Sequence, residues 1–109
     1  LSTTSLATMQ FPDGVVTLMM QHVPRRYTSE AVMVEIGSCC DLTHCDMLNL
    51  PWNARTESNI GYAFLNFSDT REAQRCAVAL SGRPWSLAKK RKACRIRPAR
   101  IQGITANLE

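Results

Sequence analysis

The chain has 109 residues, of which 45% are hydrophobic and 20% are charged, as expected for one globular domain with a single core. Its apolar runs are shorter than the roughly 20 residues of a membrane span, and its uncharged opening segment lacks the basic start of a secretory signal. The net charge is +4, and eight of the 13 basic residues lie between Arg83 and Arg100. Such a concentration is typical of a surface that faces a polyanion, although a solvated basic loop would give the same count.

The first half of the chain predicts a linker, a strand and a helix. Residues 1–14 are rich in Ser and Thr without periodicity, which is typical of a linker or terminal tail. The apolar run Val15–Val23 ends at a proline and predicts a buried strand. Thr28 is placed to cap a helix over residues 29–36, and Gly37 is expected to end it.

The second half predicts two strands, a loop and a second helix. Met47–Leu50 predicts a short strand, and the polar stretch 52–59 predicts a loop. Gly61–Phe67 alternates between two faces and predicts the clearest strand of the chain. Asp69 then caps a helix that Gly82 closes. The apolar stripe of this helix consists of Ala73, Cys76, Ala77 and Leu80.

The order of these elements predicts an α+β fold of the ferredoxin-like βαββαβ type. A last strand is predicted at about Ala93–Arg97, and the tail 99–109 predicts a short C-terminal helix. The pattern corresponds to a sandwich of a four-stranded antiparallel sheet, in the order 4-1-3-2, with two helices on one face. The domain is expected over residues 15–98, and the other face of its sheet is left open to solvent.

The cysteines do not predict a disulfide framework. Their number, five, is odd and their spacing is irregular, which favours a reducing compartment, so nucleus and cytoplasm are both expected locations. Cys39, Cys40, His44 and Cys45 are all of zinc-ligand type, but they lack the two-residue spacing that presents paired thiolates to a metal. We therefore expect structural thiols, no metal and no other cofactor.

The strongest functional motif is the octamer Ile60–Phe67, which reads IGYAFLNF. Seven of its eight positions fit the basic-Gly-aromatic-Gly/Ala-Phe-Val-x-aromatic pattern of RNA-binding sheets, if Leu65 is accepted for Val. Alternation puts Tyr62 and Phe64 together on the open face, where each ring can stack on an unpaired base for about 1–3 kcal/mol. Core packing alone would not explain aromatic residues on both faces of one strand beside a glycine.

The chain resembles an RNA recognition motif, and more narrowly the carboxy-terminal RNA recognition motif of the Mei-two-like family of meiotic regulators. The resemblance covers about residues 15–108 and implies single-stranded RNA binding on the sheet face, without catalysis. The stretches that carry it are TLMMQHVPRRYT at Thr17–Thr28, NIGYAFLNF at Asn59–Phe67, Trp85 after the second helix, and ARIQG at Ala99–Gly103.

Three positions depart from the usual motif. Met19 stands where an aromatic ring is usual, and its thioether covers a base less well than a ring does, although the Mei-two-like group is similar in using Met there. Ile60 replaces the usual Lys or Arg that meets a phosphate. His22 stands where relatives commonly carry Asn, and it is interpreted as a hydrogen-bonding loop residue or a weak RNA contact.

Arginines are expected to supply the missing charge. If Ile96 faces the core, Arg95 and Arg97 lie on the open face beside the first strand, and Arg25 and Arg26 at its end can grip the RNA backbone. The RNA-binding candidates are Tyr62, Phe64, Met19, Gln21, Asn66, Arg95, Arg97, Arg25 and Arg26. The electrostatic rim is assigned to Lys89, Lys90, Arg91, Lys92 and Arg100, with nuclear localisation or solubility as rival roles for the tetrad 89–92.

No enzyme constellation is visible in the sequence, and we expect neither a small-molecule substrate nor a membrane partner. The competing hypothesis is an RNA recognition motif that binds protein through a helix face, or that covers its sheet with its own tail. Ile101, Ile104 and Leu108 would then form an apolar stripe over Tyr62 and Phe64. Homodimerisation through the same surface is a third use of it.

Overall fold

The computed structural model describes residues 12, 14–88 and 92–108. It contains six strands and three helices in these residues. They are β1 (Thr17–Gln21), α1 (Ser29–Gly37), β2 (Cys45–Asn49), β3 (Trp52–Asn53), β4 (Ser58–Asn59), β5 (Tyr62–Phe67), α2 (Thr70–Leu80), β6 (Arg95–Pro98) and α3 (Ile104–Leu108). The linker expected over residues 1–14 lies mostly outside the described residues.

Four strands form one antiparallel sheet in the order β2-β5-β1-β6, which confirms the predicted topology. β1 is central because its residues pair with strands on both sides. Met19 is opposite Phe64 of β5 and Arg97 of β6, and Gln21 is opposite Tyr62 and Arg95. Since paired residues on neighbouring strands share a face, this register decides which side chains meet on each side of the sheet.

Both long helices pack on the same face of that sheet. Leu18 and Met20 of β1 are fully buried there, as are Ala63 and Leu65 of β5. They form one core with the inward residues of the helices, which in α1 are Val32 and Ile36 and in α2 are Ala73, Cys76, Ala77 and Leu80. The stripe predicted for the second helix is therefore confirmed.

Both predicted N-terminal caps are present. The Thr28 hydroxyl accepts a hydrogen bond from the Ala31 N–H at 3.1 Å, and the Asp69 carboxylate accepts one from the Glu72 N–H at 2.9 Å. Each bond satisfies a backbone donor that the first helical turn leaves unpaired. The caps set where α1 and α2 begin.

Two local predictions are wrong. Gly37 lies inside α1 rather than after it, and the helix ends at Ser38, whose N–H donates to the carbonyls of Val34 and Glu35. Ser38 has a right-handed φ of −77°, so this end of the helix needs no left-handed glycine. The stretch 52–59 is a small hairpin rather than a loop, because the Asn53 side chain accepts from the backbone N–H groups of the intervening turn.

The strand bounds also shift. β1 is shorter than the predicted Val15–Val23, and β2 begins earlier than the predicted Met47–Leu50. The final strand covers Arg95–Pro98 rather than Ala93–Arg97, because Cys94 instead exchanges hydrogen bonds with the turn at Gly82 and Arg83. None of the described helices is long and apolar enough to cross a membrane.

The C-terminal tail is attached to the start of β1 through one side chain. The Gln102 carbonyl oxygen accepts from the N–H groups of Val16 and Thr17, both at 2.9 Å. Its amide nitrogen donates to the carbonyls of Thr17 at 2.9 Å and Ala99 at 2.7 Å. We call these four bonds the Gln102 clamp. The predicted short helix, α3, follows it directly.

Candidate functional site

The face of the sheet opposite the helices carries the candidate site, and its side chains fall into three cross-strand rows. The first row comprises Arg95, Gln21 and Tyr62. The second row comprises Arg97, Met19, Phe64 and Asn49. The third row comprises Thr17, Asn66 and Met47. We call this surface the open face.

Tyr62 and Phe64 are neighbouring rings in the first and second rows. Both are half-buried, and their centroids are 5.5 Å apart with an angle of 79° between the ring planes. An edge-to-face pair of this kind is itself stabilising and holds the two rings in fixed orientations. Two ring surfaces are thereby presented in fixed positions on the open face, where a base can stack on a ring.

Met19 lies between Phe64 and Arg97 in the second row, and it is half-buried. Its position on the open face is the one the sequence predicts, because Leu18 and Met20 on either side point into the core. A flexible thioether therefore continues the aromatic surface toward the arginines.

The two arginines of β6 are exposed, whereas Ile96 between them is 6% exposed and belongs to the core. The alternation predicted for this strand is present. Among the described residues, the one ion pair joins Arg75 and Glu72 of α2 at 3.4 Å. No described carboxylate therefore neutralises Arg95 or Arg97, and the end of the open face at β6 is cationic.

Gln21 is half-buried in the first row, and its Oε1 is buried without a hydrogen-bond partner among the described residues. A buried acceptor without a donor costs about 1–3 kcal/mol. A ligand that brings an N–H group over the first row would lower that cost.

The expectation that Asn66 is accessible on the open face is wrong. Asn66 is 2% exposed and its amide is used internally: Oδ1 accepts from the Thr17 hydroxyl at 2.6 Å, and Nδ2 donates to Asp46 at 2.8 Å. The tail completes this cover, since the Gly103 N–H donates to the Thr17 hydroxyl at 2.9 Å. The third row is thus closed by polar contacts that no local sequence pattern reveals.

The described part of the tail is held at one end of the sheet. Its hydrogen bonds to β1 are made at Val16 and Thr17, at the third-row end. Ile101 is 55% exposed and Ile104 is half-buried, while the side chain of Leu108 lies outside the described part, so the apolar cover expected from these residues stays a prediction. Among the described residues, the side chains of the first and second rows are half-buried or exposed, whereas two of the three third-row residues are buried.

A cavity of about 410 Å³ adjoins the first row. Its lining residues are His22, Val23, Pro24, Arg25, Ile60, Gly61 and Lys92. Arg25 and Lys92 are exposed, and no acidic residue is among the lining. We call it the first-row pocket, since His22 follows Gln21 and Gly61 precedes Tyr62.

The remaining predicted cations lie around the edges. Arg26 is exposed and lines a second hollow, next to Tyr27 and Leu87 on the helix side. Arg100 is exposed beside the Gln102 clamp. Lys89, Lys90 and Arg91 lie outside the described residues, so the structure places only Lys92 of the predicted rim tetrad.

Sequence reasoning missed a polar network on the helix side. The Glu35 carboxylate accepts from the Tyr27 hydroxyl at 2.5 Å, from the Ser86 N–H at 2.8 Å and from the Ser86 hydroxyl at 2.9 Å. Burial acts to raise the pKa of Glu35, but these hydrogen bonds outweigh it and hold that pKa below its usual value. The network fixes the loop after α2. Trp85 of this loop is only 3% exposed and packs against Tyr27, with the two ring centroids 5.0 Å apart.

The clustered cysteines are involved in packing. Cys40 and Cys76 have their sulfurs 3.4 Å apart, and Cys76 is buried in the core. Burial raises the pKa of Cys94 to about 12, so this thiol stays protonated at neutral pH. Within the described residues, no group of three or more His, Cys, Asp or Glu side chains is arranged to hold a metal ion.

Comparison with known sequences gives a consistent set of similarities. Residues 15–109 match the family model described as RNA recognition motif 2. The chain is 34% identical over 94 residues to the protein MEI2-like 1 of Arabidopsis thaliana, which covers 86% of this chain and 10% of that protein. It is 27% identical over 110 residues to the protein terminal ear1 homolog of Oryza sativa subsp. indica, covering 86% of this chain and 16% of that protein. The chain therefore spans about a tenth to a sixth of the length of these relatives.

Solved structures share the fold. The Rna15 RRM with bound RNA (GU) superposes with a TM-score of 0.67 at 16% identity, covering 89% of this chain and 94% of that one. The Sex-lethal RNA recognition domains 1 and 2 from Drosophila melanogaster give a TM-score of 0.63 at 19% identity, covering 79% of this chain and 50% of that one. At such low identity these likenesses establish the architecture alone.

Proposed function

This chain belongs to the RNA recognition motif 2 family and is of the Mei-two-like type, and we propose that it binds single-stranded RNA across the first two rows of its open face. The observation that carries the proposal is the ring pair Tyr62–Phe64 on a face that the helices leave free, beside two arginines that no described carboxylate neutralises. Two similar folds have been solved with RNA, namely the Rna15 RRM and the Sex-lethal protein.

Stacking supplies the central part of the proposed binding. One base lies on the Tyr62 ring and the next on the Phe64 ring, with about 1–3 kcal/mol for each stacked base. Met19 extends the apolar surface under the second base. Because any base has a flat face, this part of the interaction favours unpaired RNA over a duplex without selecting a sequence.

Charge supplies the remaining part. Arg95 and Arg97 flank the platform, where a guanidinium can fork to a phosphate or a base edge. Arg25, Arg26 and Lys92 contact the backbone at the rim. Each neutralised phosphate releases a counterion, so the affinity falls as salt rises. The chain works without chemical catalysis, as the RNA-binding module of a larger regulatory protein of the Mei-two-like type.

The test is a binding titration with a degenerate eight-nucleotide single-stranded RNA at low and moderate salt. The double variant Tyr62→Ala/Phe64→Ala is expected to weaken binding at least about tenfold, since two stacking surfaces are lost. The matched control is Met33→Ala, which removes a side chain that is 40% exposed on α1, a helix on the opposite face of the sheet. Backbone NMR shifts should concentrate at Met19, Tyr62 and Phe64.

Three outcomes would contradict the proposal. Wild-type protein that binds no RNA would exclude the function for this domain. A folded double variant with unchanged affinity would exclude the open face. Shifts confined to the rim that vanish with salt would leave only nonspecific phosphate attraction.

A protein-binding role has one specific observation in its favour. Val34 of α1 and Leu87 of the loop after α2 are 75% and 77% exposed and line one shallow hollow on the helix side. Exposed apolar side chains grouped in this way are typical of a contact with another protein. A partner held there would be lost in Val34→Ser/Leu87→Ser and retained in the Tyr62→Ala/Phe64→Ala variant.

A further inference from the structure

His22 has an unusual backbone conformation at the end of β1. Its φ is +65°, in the left-handed region that is uncommon for residues other than glycine, although asparagine, aspartate and histidine are enriched there. This conformation turns the chain after Gln21, and the ring Nδ1 comes within 3.1 Å of the Ala93 carbonyl oxygen. The loop before β6 is thereby connected to the end of β1.

The Ala93 contact determines which ring nitrogen carries a hydrogen. A carbonyl oxygen only accepts, so Nδ1 must carry the hydrogen and donate it. A neutral imidazole protonated at Nδ1 has a lone pair at Nε2, which makes Nε2 an acceptor. His22 is half-buried. Its Nε2 has no hydrogen-bond partner among the described residues, and it is not one of the polar atoms that are fully buried there. The ring thus offers one acceptor that a ligand can reach.

The surroundings of this ring suit a sugar and a phosphate. His22 lines the first-row pocket together with the cations Arg25 and Lys92. Gly61, at φ +100°, also lines it, and a side chain there would approach the Arg25 Nε to 3.5 Å. The pocket has no phenylalanine, tyrosine or tryptophan ring in its described lining, and it begins where the first row ends. An RNA strand that stacks on Tyr62 and continues past that ring would enter it.

We propose that the first-row pocket holds the sugar and phosphate of one ribonucleotide and selects RNA over DNA. The 2′-hydroxyl donates to Nε2 of neutral His22, and Arg25 and Lys92 hold the adjacent phosphate. A 2′-deoxyribose cannot make the first contact, and the 2′-hydroxyl is the group by which a protein distinguishes the two nucleic acids. This inference rests on the proposed RNA binding and adds a selectivity that stacking alone does not provide.

The first test compares an eight-nucleotide oligouridine with its all-2′-deoxy counterpart, which carries the same bases. One hydrogen bond predicts a preference of about fivefold for RNA. In His22→Gly the RNA affinity is expected to fall to the level of DNA, because glycine accommodates the positive φ and only the ring is lost. Arg25→Gln is expected to weaken both oligonucleotides equally, so that the preference remains.

A matched control separates the ring from the backbone. Glu57 also has a positive φ, +52°, but lies in the turn of the hairpin and does not line the pocket. Glu57→Gly relieves the same kind of strain, and the preference for RNA should persist. A preference that disappears in this control as well would overturn the assignment to His22.

The second test observes the ring directly in the wild-type protein. Long-range ¹H–¹⁵N NMR of the imidazole should show Nδ1 protonated, and the Nε2 resonance should shift on adding RNA but not on adding the deoxy oligonucleotide. Protonation at Nε2 alone would overturn the inference. If the wild-type protein binds the two oligonucleotides with equal affinity and Tyr62→Ala/Phe64→Ala loses binding to both, the proposed selectivity is overturned while the proposed function stands. If neither oligonucleotide binds, both proposals fail.

Discussion

Replacing Gln102 by alanine tests whether the tail is an integral part of the fold. The substitution removes all four bonds of the clamp, two to backbone N–H groups and two to backbone carbonyls. A typical hydrogen bond contributes about 0.5–1.5 kcal/mol net, and one carbonyl, that of Thr17, keeps a second donor in the Ala99 N–H. We therefore expect the free energy of unfolding to fall by about 2–4 kcal/mol. For a domain of this size such a loss lowers the melting temperature by at least about 8 °C.

The assay is urea unfolding followed by tryptophan fluorescence. Trp85 is 3% exposed and becomes solvated on unfolding, so its emission reports on the core rather than on the tail. Asn107→Ala is the matched control, because the Asn107 amide donates only to the tail carbonyls of Ile101 and Gly103. Gln102→Glu should not restore stability, because it places a carboxylate oxygen against the two carbonyls to which the Gln102 amide nitrogen donates. A Gln102→Ala variant within about 0.5 kcal/mol of Asn107→Ala would refute the reasoning.

Three further predictions concern the open face and the helix side. Met19→Phe adds a ring to the second row and should tighten RNA binding several-fold in a fluorescence anisotropy titration; unchanged affinity would argue against stacking there. Asn66→Ala should lower the free energy of unfolding, measured in urea, by about 1–3 kcal/mol, because Thr17 and Asp46 each lose their hydrogen bond to Asn66. The folded variant should keep its RNA affinity. The pKa of Glu35 is lower in the folded chain than in the unfolded one, so its stabilising effect is present above the usual glutamate range and is lost as the pH falls through the lowered pKa. The free energy of unfolding should therefore decrease from pH 7 to pH 3, and this decrease should be smaller in Glu35→Gln than in the wild-type protein.

Periodicity was sufficient to predict the sheet and its exposed side. Strand alternation separates Tyr62 and Phe64 from Ala63 and Leu65, and the pairing of β1 with β5 and β6 then follows from the fold type. Helix caps are equally local, since Asp69 and Glu72 are three residues apart. These features were predictable because each depends on residues that are close in the sequence.

The features that were missed depend on distant pairs. The amide of Asn66 is buried because Thr17, 49 positions away, and Asp46, 20 positions away, supply its polar partners, and no periodic pattern encodes such a match. Glu35 and Ser86 are 51 positions apart and likewise share no local signal. The hairpin at 52–59 could have been recognised from Asn53, whose side chain commonly organises a tight turn. The positive φ of His22 also has a weak signal, since histidine is enriched in that conformation together with asparagine and aspartate.

The Gln102 clamp also bears on the order in which the domain can assemble during synthesis. Val16 and Gln102 are 86 positions apart, and β1 obtains both of its neighbours, β5 and β6, only from later parts of the chain. Contacts with such large sequence separation form slowly, because a long loop must close before they contribute. Until the chain has been synthesised as far as Gln102, β1 lacks β6 and the bonds of the clamp. The first strand of this domain is therefore the last to be completed in its sheet.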